Sequence, residues 1–200
     1  MSGSNCLEAI GARRSVRDLS GELSGETVEM ILGAGARAPS PHNTQPWRFV
    51  VMGPSSKTKL ADILRERYLA RFGTGIDTLQ RAERIRRRIS SAPLVVLLCL
   101  DRARIRHAEG RERVEWVMAT QSLAAAAENM WIAAVSVGLD AMWMAAPLVI
   151  GDAIREGLGL DGSLEPQILM AFGRGAARPP PKEELGWREL STFLERVAAG

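Results

Sequence analysis

Residues 38–51 read Ala-Pro-Ser-Pro-His-Asn-Thr-Gln-Pro-Trp-Arg-Phe-Val-Val, a proline-rich block that runs directly into an apolar stretch. The three prolines fix the backbone and prevent a helix. Ser40, Asn43 and Gln45 are therefore held as hydrogen-bonding groups on a stiff turn. The stretch that follows, 47–52, predicts a strand, so this block places a row of polar side chains at a strand's beginning.

A second informative block, Arg13-Arg14-Ser15-Val16-Arg17, lies about two dozen residues earlier. A compact group of guanidinium side chains beside a hydroxyl suits a phosphate. Cations that complement the dipole at the C-terminus of a helix are the simpler interpretation. That interpretation does not account for Ser15 followed by Arg17, so the block predicts phosphate binding.

In this order and at this spacing, the two blocks resemble the flavin-binding signature of the nitroreductase family, FMN-dependent homodimeric oxidoreductases. The resemblance covers roughly residues 6–185. It implies that the first block holds the FMN phosphate and that the proline-rich turn lies against the flavin of the other subunit. The residues implied for these two roles are Arg13, Arg14, Ser15 and Arg17, and Pro39, Ser40, Pro41, Asn43 and Gln45.

Three further contacts follow from the same resemblance. A basic residue on the helix before the apolar strand 94–100 matches Arg84 to Arg88, with Arg87 as the preferred candidate. The backbone at Ala145 and Ala146 passes one flavin face, although many relatives carry Glu-Gly there. Arg178 is the preferred phosphate-binding cation near the C-terminus, among Arg174, Arg178 and Lys182.

The periodicity of apolar residues predicts several strands interspersed irregularly with helices, which indicates an α+β fold with one central sheet. The predicted helices begin near residues 5, 24, 56, 112 and 150; the predicted strands are 47–52, 94–100, 140–144 and 167–172. Residues 73–90 are expected to be helical in part, and Leu190, Phe193, Leu194 and Val197 show helical spacing. The resemblance implies a nitroreductase-like fold, with a mostly antiparallel sheet surrounded by helices in an intertwined homodimer. We expect one domain over residues 1–200.

The helix predicted at 112–137 is apolar on most sides and must be buried nearly all round. A 200-residue monomer can seldom cover such a helix, which indicates a subunit interface. Gln121, Glu128, Asn129 and Asp140 interrupt the apolar run, so it is not a membrane span, which needs roughly 20 apolar residues.

Composition excludes several other classes of protein. Cys6 and Cys99 are the two cysteines, and residues 1–5 lack an apolar signal core, which together predict a reducing, cytoplasmic setting. The net charge of +3 is concentrated in the arginines at 81–88. These form either a solvated helix face or a contact to an anionic ligand. A nucleic-acid-binding protein would need aromatic residues interleaved with the charge, and the cluster has none.

No metal-ligand spacing, Walker motif or nucleophile elbow is present. Gly33-Ala34-Gly35-Ala36-Arg37-Ala38 matches a dinucleotide fingerprint as a string, but it closes a helix instead of opening one, which favours close helix packing. Since cofactors carry the hard chemistry in such enzymes, no side chain is predicted to be catalytic.

The resemblance implies an FMN-dependent oxidoreductase that passes electrons from NAD(P)H to a small organic acceptor such as a nitroaromatic or a quinone. Ser90-Ser91-Ala92-Pro93 and Gly173 also resemble the subgroup that reduces a precursor of the deazaflavin coenzyme F420, which is one alternative. A flavin-binding or flavin-consuming module without NAD(P)H turnover is another, and a non-enzymatic nucleic-acid-binding protein is a third.

Overall fold

Six helices surround the sheet within the residues that the computed structural model describes, 5–180 and 184–192. They are α1 (Cys6–Ala12), α2 (Gly25–Ala36), α3 (Pro54–Phe72), α4 (Ile76–Ser91), α5 (Glu112–Ser136) and α6 (Pro147–Leu158). Asn5 and Ser24 cap α1 and α2 by accepting backbone N–H groups of the first turn. α3 and α6 begin at prolines, whose fixed φ suits the first helical position.

The described strands form one antiparallel sheet. They are β1 (Leu19–Ser20), β2 (Trp47–Val51), β3 (Leu94–Asp101), β4 (Asp140–Met144) and β5 (Leu164–Gly175). β2 forms one edge and pairs with β3, which pairs with β5. The other side of β5 pairs with β4 along its middle and with β1 at its end. The predicted α+β architecture with a mostly antiparallel sheet is confirmed.

Helices cover both faces of the sheet. Every residue of β3 is buried, as the continuous apolar run predicted. Leu98 and Leu100 face the layer that contains α5 and α2, whereas Leu97 and Cys99 face the layer of α3, α4 and α6. Most candidate site residues lie in segments beside this core: before β2, next to the start of β4, and after the end of β4.

Some element boundaries were not predicted. Residues 73–90 are helical in part, as expected, since α4 begins at Ile76 and continues to Ser91. The two-residue strand β1 was not predicted, and α6 begins at Pro147 rather than Ile150. The helical spacing predicted at the C-terminus lies largely outside the described residues.

Candidate functional site

Residues 13–17 leave α1 as extended backbone and run beside β4. The Val16 N–H donates to the Ala141 carbonyl at 3.0 Å, and Ser15 forms a parallel bridge with Ala141. Val16 is 2% exposed, so its side chain fixes the segment against the core. Since side chains alternate along extended backbone, Arg13, Ser15 and Arg17 project away from the side that Val16 buries.

The arginines of this segment differ in what they contact. The Arg13 Nε lies 2.9 Å from the Glu128 carboxylate, at an angle that does not make a hydrogen bond, and its guanidinium lies 4.9 Å from the centroid of the Trp131 ring. Arg14 donates to the carbonyls of Gly11 and Arg13. Arg17 is exposed and has no ion pair or hydrogen bond among the described residues. Arg17 and Ser15 are therefore the most available of the four predicted phosphate ligands.

A buried carboxylate, Asp140, ties the C-terminal end of β5 to the start of β4. It accepts a hydrogen bond from the Gly175 N–H at 3.1 Å and another from the Arg178 Nε at 2.9 Å. Its side chain is 8% exposed, whereas that of Arg178 is 46% exposed. A Cβ at Gly175 would lie 2.6 Å from Val16 and 2.7 Å from Asp140, so glycine permits this close approach. Asp140 thus fixes the direction of the predicted cation Arg178.

α4 contributes one more cation to the same corner. Arg88 donates from Nε to Asp18 at 3.2 Å, which brings it next to the segment that follows Arg17. The predicted Arg87 is exposed and has no side-chain partner among the described residues, so its role stays a prediction. We call Ser15, Arg17, Arg88, Asp140 and Arg178 the cationic corner.

Asp140 was not singled out from the sequence alone, whereas Arg88 lay within the expected range Arg84 to Arg88 but was not the preferred candidate. The signal for Asp140 was an acidic residue at the start of an otherwise apolar strand, where burial demands a partner. For Arg88 no signal separates it from Arg87, because their order around the helix depends on how α4 packs.

The proline-rich turn lies directly before β2, and in spite of its three prolines residues Pro41–Asn43 form one short 3₁₀ turn. His42, Asn43 and Gln45 have positive φ, which non-glycine residues rarely adopt and which marks functional sites. The Ser40 hydroxyl accepts the Gln45 N–H at 3.0 Å, and the Gln45 side-chain amide donates to the Asn43 side chain, also at 3.0 Å. The Asn43 amide nitrogen is left for another acceptor. Pro39, Ser40 and Pro41 line an open groove against α5, with Met118, Gln121 and Ala125 on the opposite wall.

The turn and the cationic corner lie at diagonally opposite corners of the sheet. The turn lies at the end of β3, where the Asp101 N–H donates to the Pro46 carbonyl. The corner lies level with the start of β3, because Ser15 bridges Ala141 and Phe172 of β5 pairs with both Ala141 and Leu94. From Leu94 to Asp101 the distance along β3 is about 24 Å, and the four strand spacings from the Ser15 segment to β2 add about 19 Å across the sheet. One protomer does not bring the two blocks together.

The turn between β4 and α6 carries the predicted backbone contact. Ala145 is exposed, and Ala146 is half-buried at the rim of a cavity beneath the turn. Asp140 and Met144 are the two ends of β4, about 13 Å apart for four steps of extended chain. The cationic corner and the Ala145–Ala146 turn therefore lie at opposite ends of one strand.

Other groups in the described part of the chain add no competing chemistry. Burial raises the pKa of the Cys99 thiol to about 12, which keeps it protonated. No cluster of three or more metal-binding side chains occurs among the described residues. None of the described helices has the length and apolar character needed to cross a bilayer.

The fold is α+β. Its candidate site consists of the cationic corner at the start of β4, the Ala145–Ala146 turn after β4, and the polar proline-rich turn before β2. The Nitroreductase family profile matches residues 10–174. A nitroreductase homologue from Desulfovibrio desulfuricans, solved in complex with FMN, has a TM-score of 0.75 and is 27% identical, with 98% of this chain and 99% of that chain covered. This chain belongs to the nitroreductase family.

Curated relatives agree with this membership. Iodotyrosine deiodinase 1 of Mus musculus is 29% identical over 182 residues, which are 83% of this chain and 60% of that protein. A relative from Archaeoglobus fulgidus, named for NADH dehydrogenase or NAD(P)H nitroreductase activity, is 28% identical over 140 residues, 70% of this chain and 66% of that protein. The chain thus matches less than two thirds of the length of either relative.

Proposed function

We propose that this chain is an FMN-dependent oxidoreductase that passes electrons from NAD(P)H to a small organic acceptor. The observation that carries the proposal is the placement of the cationic corner and the Ala145–Ala146 turn at the two ends of β4. A phosphate at one end and a planar ring at the other fit the length of that strand. Membership of the nitroreductase family and the FMN bound by the Desulfovibrio relative support this assignment.

The residues present fit the phosphate of FMN. Arg17 offers a guanidinium with no partner, and Ser15 offers a hydroxyl on the same side of the extended segment. Arg178 uses its Nε for Asp140, which leaves the terminal nitrogens of its guanidinium for the phosphate. Charge-assisted hydrogen bonds from such donors contribute about 1.5–3 kcal/mol each. Arg17, Arg88 and Arg178 outnumber the nearby carboxylates of Asp18 and Asp140 by one positive charge, which favours an anion.

Along the rest of β4 the protein supplies orientation. Bound FMN would accept hydride equivalents from NAD(P)H and release electrons to the acceptor. The Ala145–Ala146 turn would position the ring with backbone groups alone, since neither side chain carries a polar atom. The Asn43 amide would donate a hydrogen bond where negative charge gathers on the reduced ring, and the buried sheet beneath would exclude water.

We further propose that the site is completed in a homodimer. Asn43 and Arg17 lie too far apart in one protomer to reach the same mononucleotide. α5 keeps Val114 and Val117 at 46% and 44% exposure, as expected for a face that a second copy covers. The dimer would bury more than about 2,000 Å² in total. We also propose that the whole chain is one domain and works in the cytoplasm, since both cysteines are unpaired.

The test combines spectroscopy with turnover. The purified protein should show a flavin absorption spectrum with about one non-covalent FMN per subunit, and should oxidise NAD(P)H continuously when a quinone or nitroaromatic is supplied. Arg17→Ala should weaken FMN binding by about tenfold or more, as for one lost charge-assisted contact. Lys59→Ala removes an exposed charge from α3 and should leave FMN binding unchanged. A protein that binds no added FMN contradicts the proposal; FMN binding without turnover favours the flavin-sequestering alternative.

A further inference from the structure

A cavity of about 310 Å³ lies between α3, α4 and the turn that joins β4 to α6. Its walls are mainly apolar, and they include Leu64, Tyr68, Ile85, Met144 and Ile150. Small-molecule sites are typically cavities of at least about 300 Å³, lined by apolar and aromatic side chains with a few polar groups. This cavity has the size and the lining of a site for one small planar molecule.

Two guanidinium groups stand at the mouth of this cavity. Arg67 and Arg71 lie one turn apart on α3, and neither has an ion pair among the described residues. Arg71 lies over the Phe72 ring, 5.5 Å from its centroid, which keeps it beside the apolar wall. The Tyr68 hydroxyl has no hydrogen-bond partner among the described residues. The cavity therefore offers two cations and one hydroxyl to a ligand.

No lining carboxylate offsets the charges of Arg67 and Arg71 in this cavity. On α4, Arg86 pairs with Asp62 and Arg88 pairs with Asp18, so two of the arginines at 81–88 are already neutralised. No carboxylate lines the cavity; Asp152, Glu156 and Glu165 line a neighbouring cavity that Arg67 also borders. An anion at the mouth would meet two cations and no acidic side chain.

We propose that the cavity binds the electron acceptor as a planar aromatic carboxylate. The carboxylate lies between Arg67 and Arg71, and the ring lies along Tyr68 and Met144. Because Ala146 forms part of the rim, the ring is brought next to the turn assigned above to the cofactor. This inference rests on the proposed function and narrows its substrate class.

The test uses 4-nitrobenzoate and its neutral counterpart 4-nitrobenzamide, which share ring and nitro group. With 4-nitrobenzoate, one NAD(P)H and one proton yield 4-nitrosobenzoate, NAD(P)⁺ and one water, the electron pair ending on the nitro group. Binding without NAD(P)H is measured by calorimetry on the FMN-loaded protein, and turnover is measured separately. We expect the carboxylate to bind about tenfold more tightly than the amide, a preference that falls as salt rises.

Variants locate the effect. Arg67→Gln and Arg71→Gln should each reduce the preference for the carboxylate by about fivefold or more and leave the amide unaffected. Arg71→Lys keeps the charge and should retain most of the preference for the carboxylate. Lys59→Gln removes an exposed charge from the same helix and should leave the preference unchanged. Both arginines are exposed, so an unchanged Tm is expected for the variants.

Several outcomes overturn the inference. If the acid and the amide bind equally well, or if the preference for the acid survives both glutamine variants, the cavity is not a carboxylate site. The reductase assignment would still stand. A raised KM for NAD(P)H with acceptor binding unchanged assigns the cavity to the donor instead. Absence of FMN binding and of turnover with either compound contradicts the proposed function itself; calorimetry on the flavin-free protein then reports separately whether the carboxylate binds.

Discussion

At the scale of single residues, the candidate site depends on side chains that hold others in place. Asp140 shows this most clearly. Its buried carboxylate accepts hydrogen bonds from Gly175 and Arg178, and only 8% of the side chain is exposed to solvent. It acts as a positioning residue for Arg178. The neighbouring Gly175 has no room for a Cβ, so backbone and carboxylate together set the geometry of the corner.

We predict that Asp140→Asn weakens both folding and cofactor binding. The asparagine keeps the shape but loses the charge that aligns Arg178, so the free energy of unfolding should fall by about 1.5–3 kcal/mol. FMN affinity should fall as well, because the guanidinium is no longer held. Urea unfolding and fluorescence titration with FMN measure the two effects. Asp152→Asn is the matched control, since Asp152 pairs with Arg155 at 80% exposure; equal effects in both variants would contradict the positioning role.

The buried thiol of Cys99 gives a prediction about pH. Its pKa is raised from 9.0 to about 12, chiefly by burial and secondarily by the charge of Glu165. A raised thiol pKa stabilises the folded state fully below the unfolded pKa, and that contribution is lost as pH rises from about 9 towards 12. At pH 8 a maleimide should therefore modify the exposed Cys6 quickly and Cys99 only after unfolding, as read by mass spectrometry of the intact protein. Equal labelling of both in the folded protein would show that Cys99 is accessible.

At the scale of elements, the sequence predicts best where one strong signal dominates. β3 is a continuous apolar run, and α5 is a long helix whose interior contains neither proline nor glycine. Both match their predicted ranges closely. β1 has two residues and depends on pairing with the end of β5, which no local pattern announces. The choice of Arg87 over Arg88 as a flavin contact stays a prediction for a similar reason. Adjacent positions differ by about 100° around a helix, and only the packing of α4 decides which one faces Asp18.

The glycines of α2 test the interpretation of residues 33–38 as a packing motif. A Cβ at Gly35 would lie 2.8 Å from Cγ of the buried Met130 on α5, whereas one at Gly33 would meet only the end of Arg37 at 3.6 Å. Gly35→Ala should therefore lower the free energy of unfolding by about 1–3 kcal/mol through overpacking. Gly33→Ala should raise it by about 0.5–1 kcal/mol, because alanine favours the helix. Thermal and urea unfolding measure both; stabilisation by Gly35→Ala would show that α2 and α5 do not require this close approach.

At the scale of the whole molecule, the two blocks that the sequence singled out are separated by the full diagonal of the sheet. The resemblance implied that the turn lies against the flavin of the other subunit, and the strand register gives the distance between the two blocks in one protomer. Exposed apolar side chains lie on the neighbouring helices α1 and α5, including Leu7 at 74% and Val114 at 46%. A second copy placed over that face would cover this surface and could bring its proline-rich turn to the cationic corner of the first.

Mixing two inactive variants tests whether the site is shared between subunits. Arg17→Ala removes a phosphate ligand from the corner, and Asn43→Ala removes the polar contact from the turn, so each homodimer should bind FMN weakly. In a mixed dimer, Arg17 from one protomer and Asn43 from the other form one intact site, whereas the second site carries both changes. Random exchange makes about half of the dimers mixed, so about a quarter of the sites should regain wild-type affinity. Recovery is measured as FMN bound and NAD(P)H oxidised after the variants are mixed under conditions that allow subunit exchange. Two copies of the Arg17→Ala variant, exchanged in the same way, give the baseline. If mixing restores nothing although exchange is verified by mass spectrometry, the two blocks do not serve one shared cofactor.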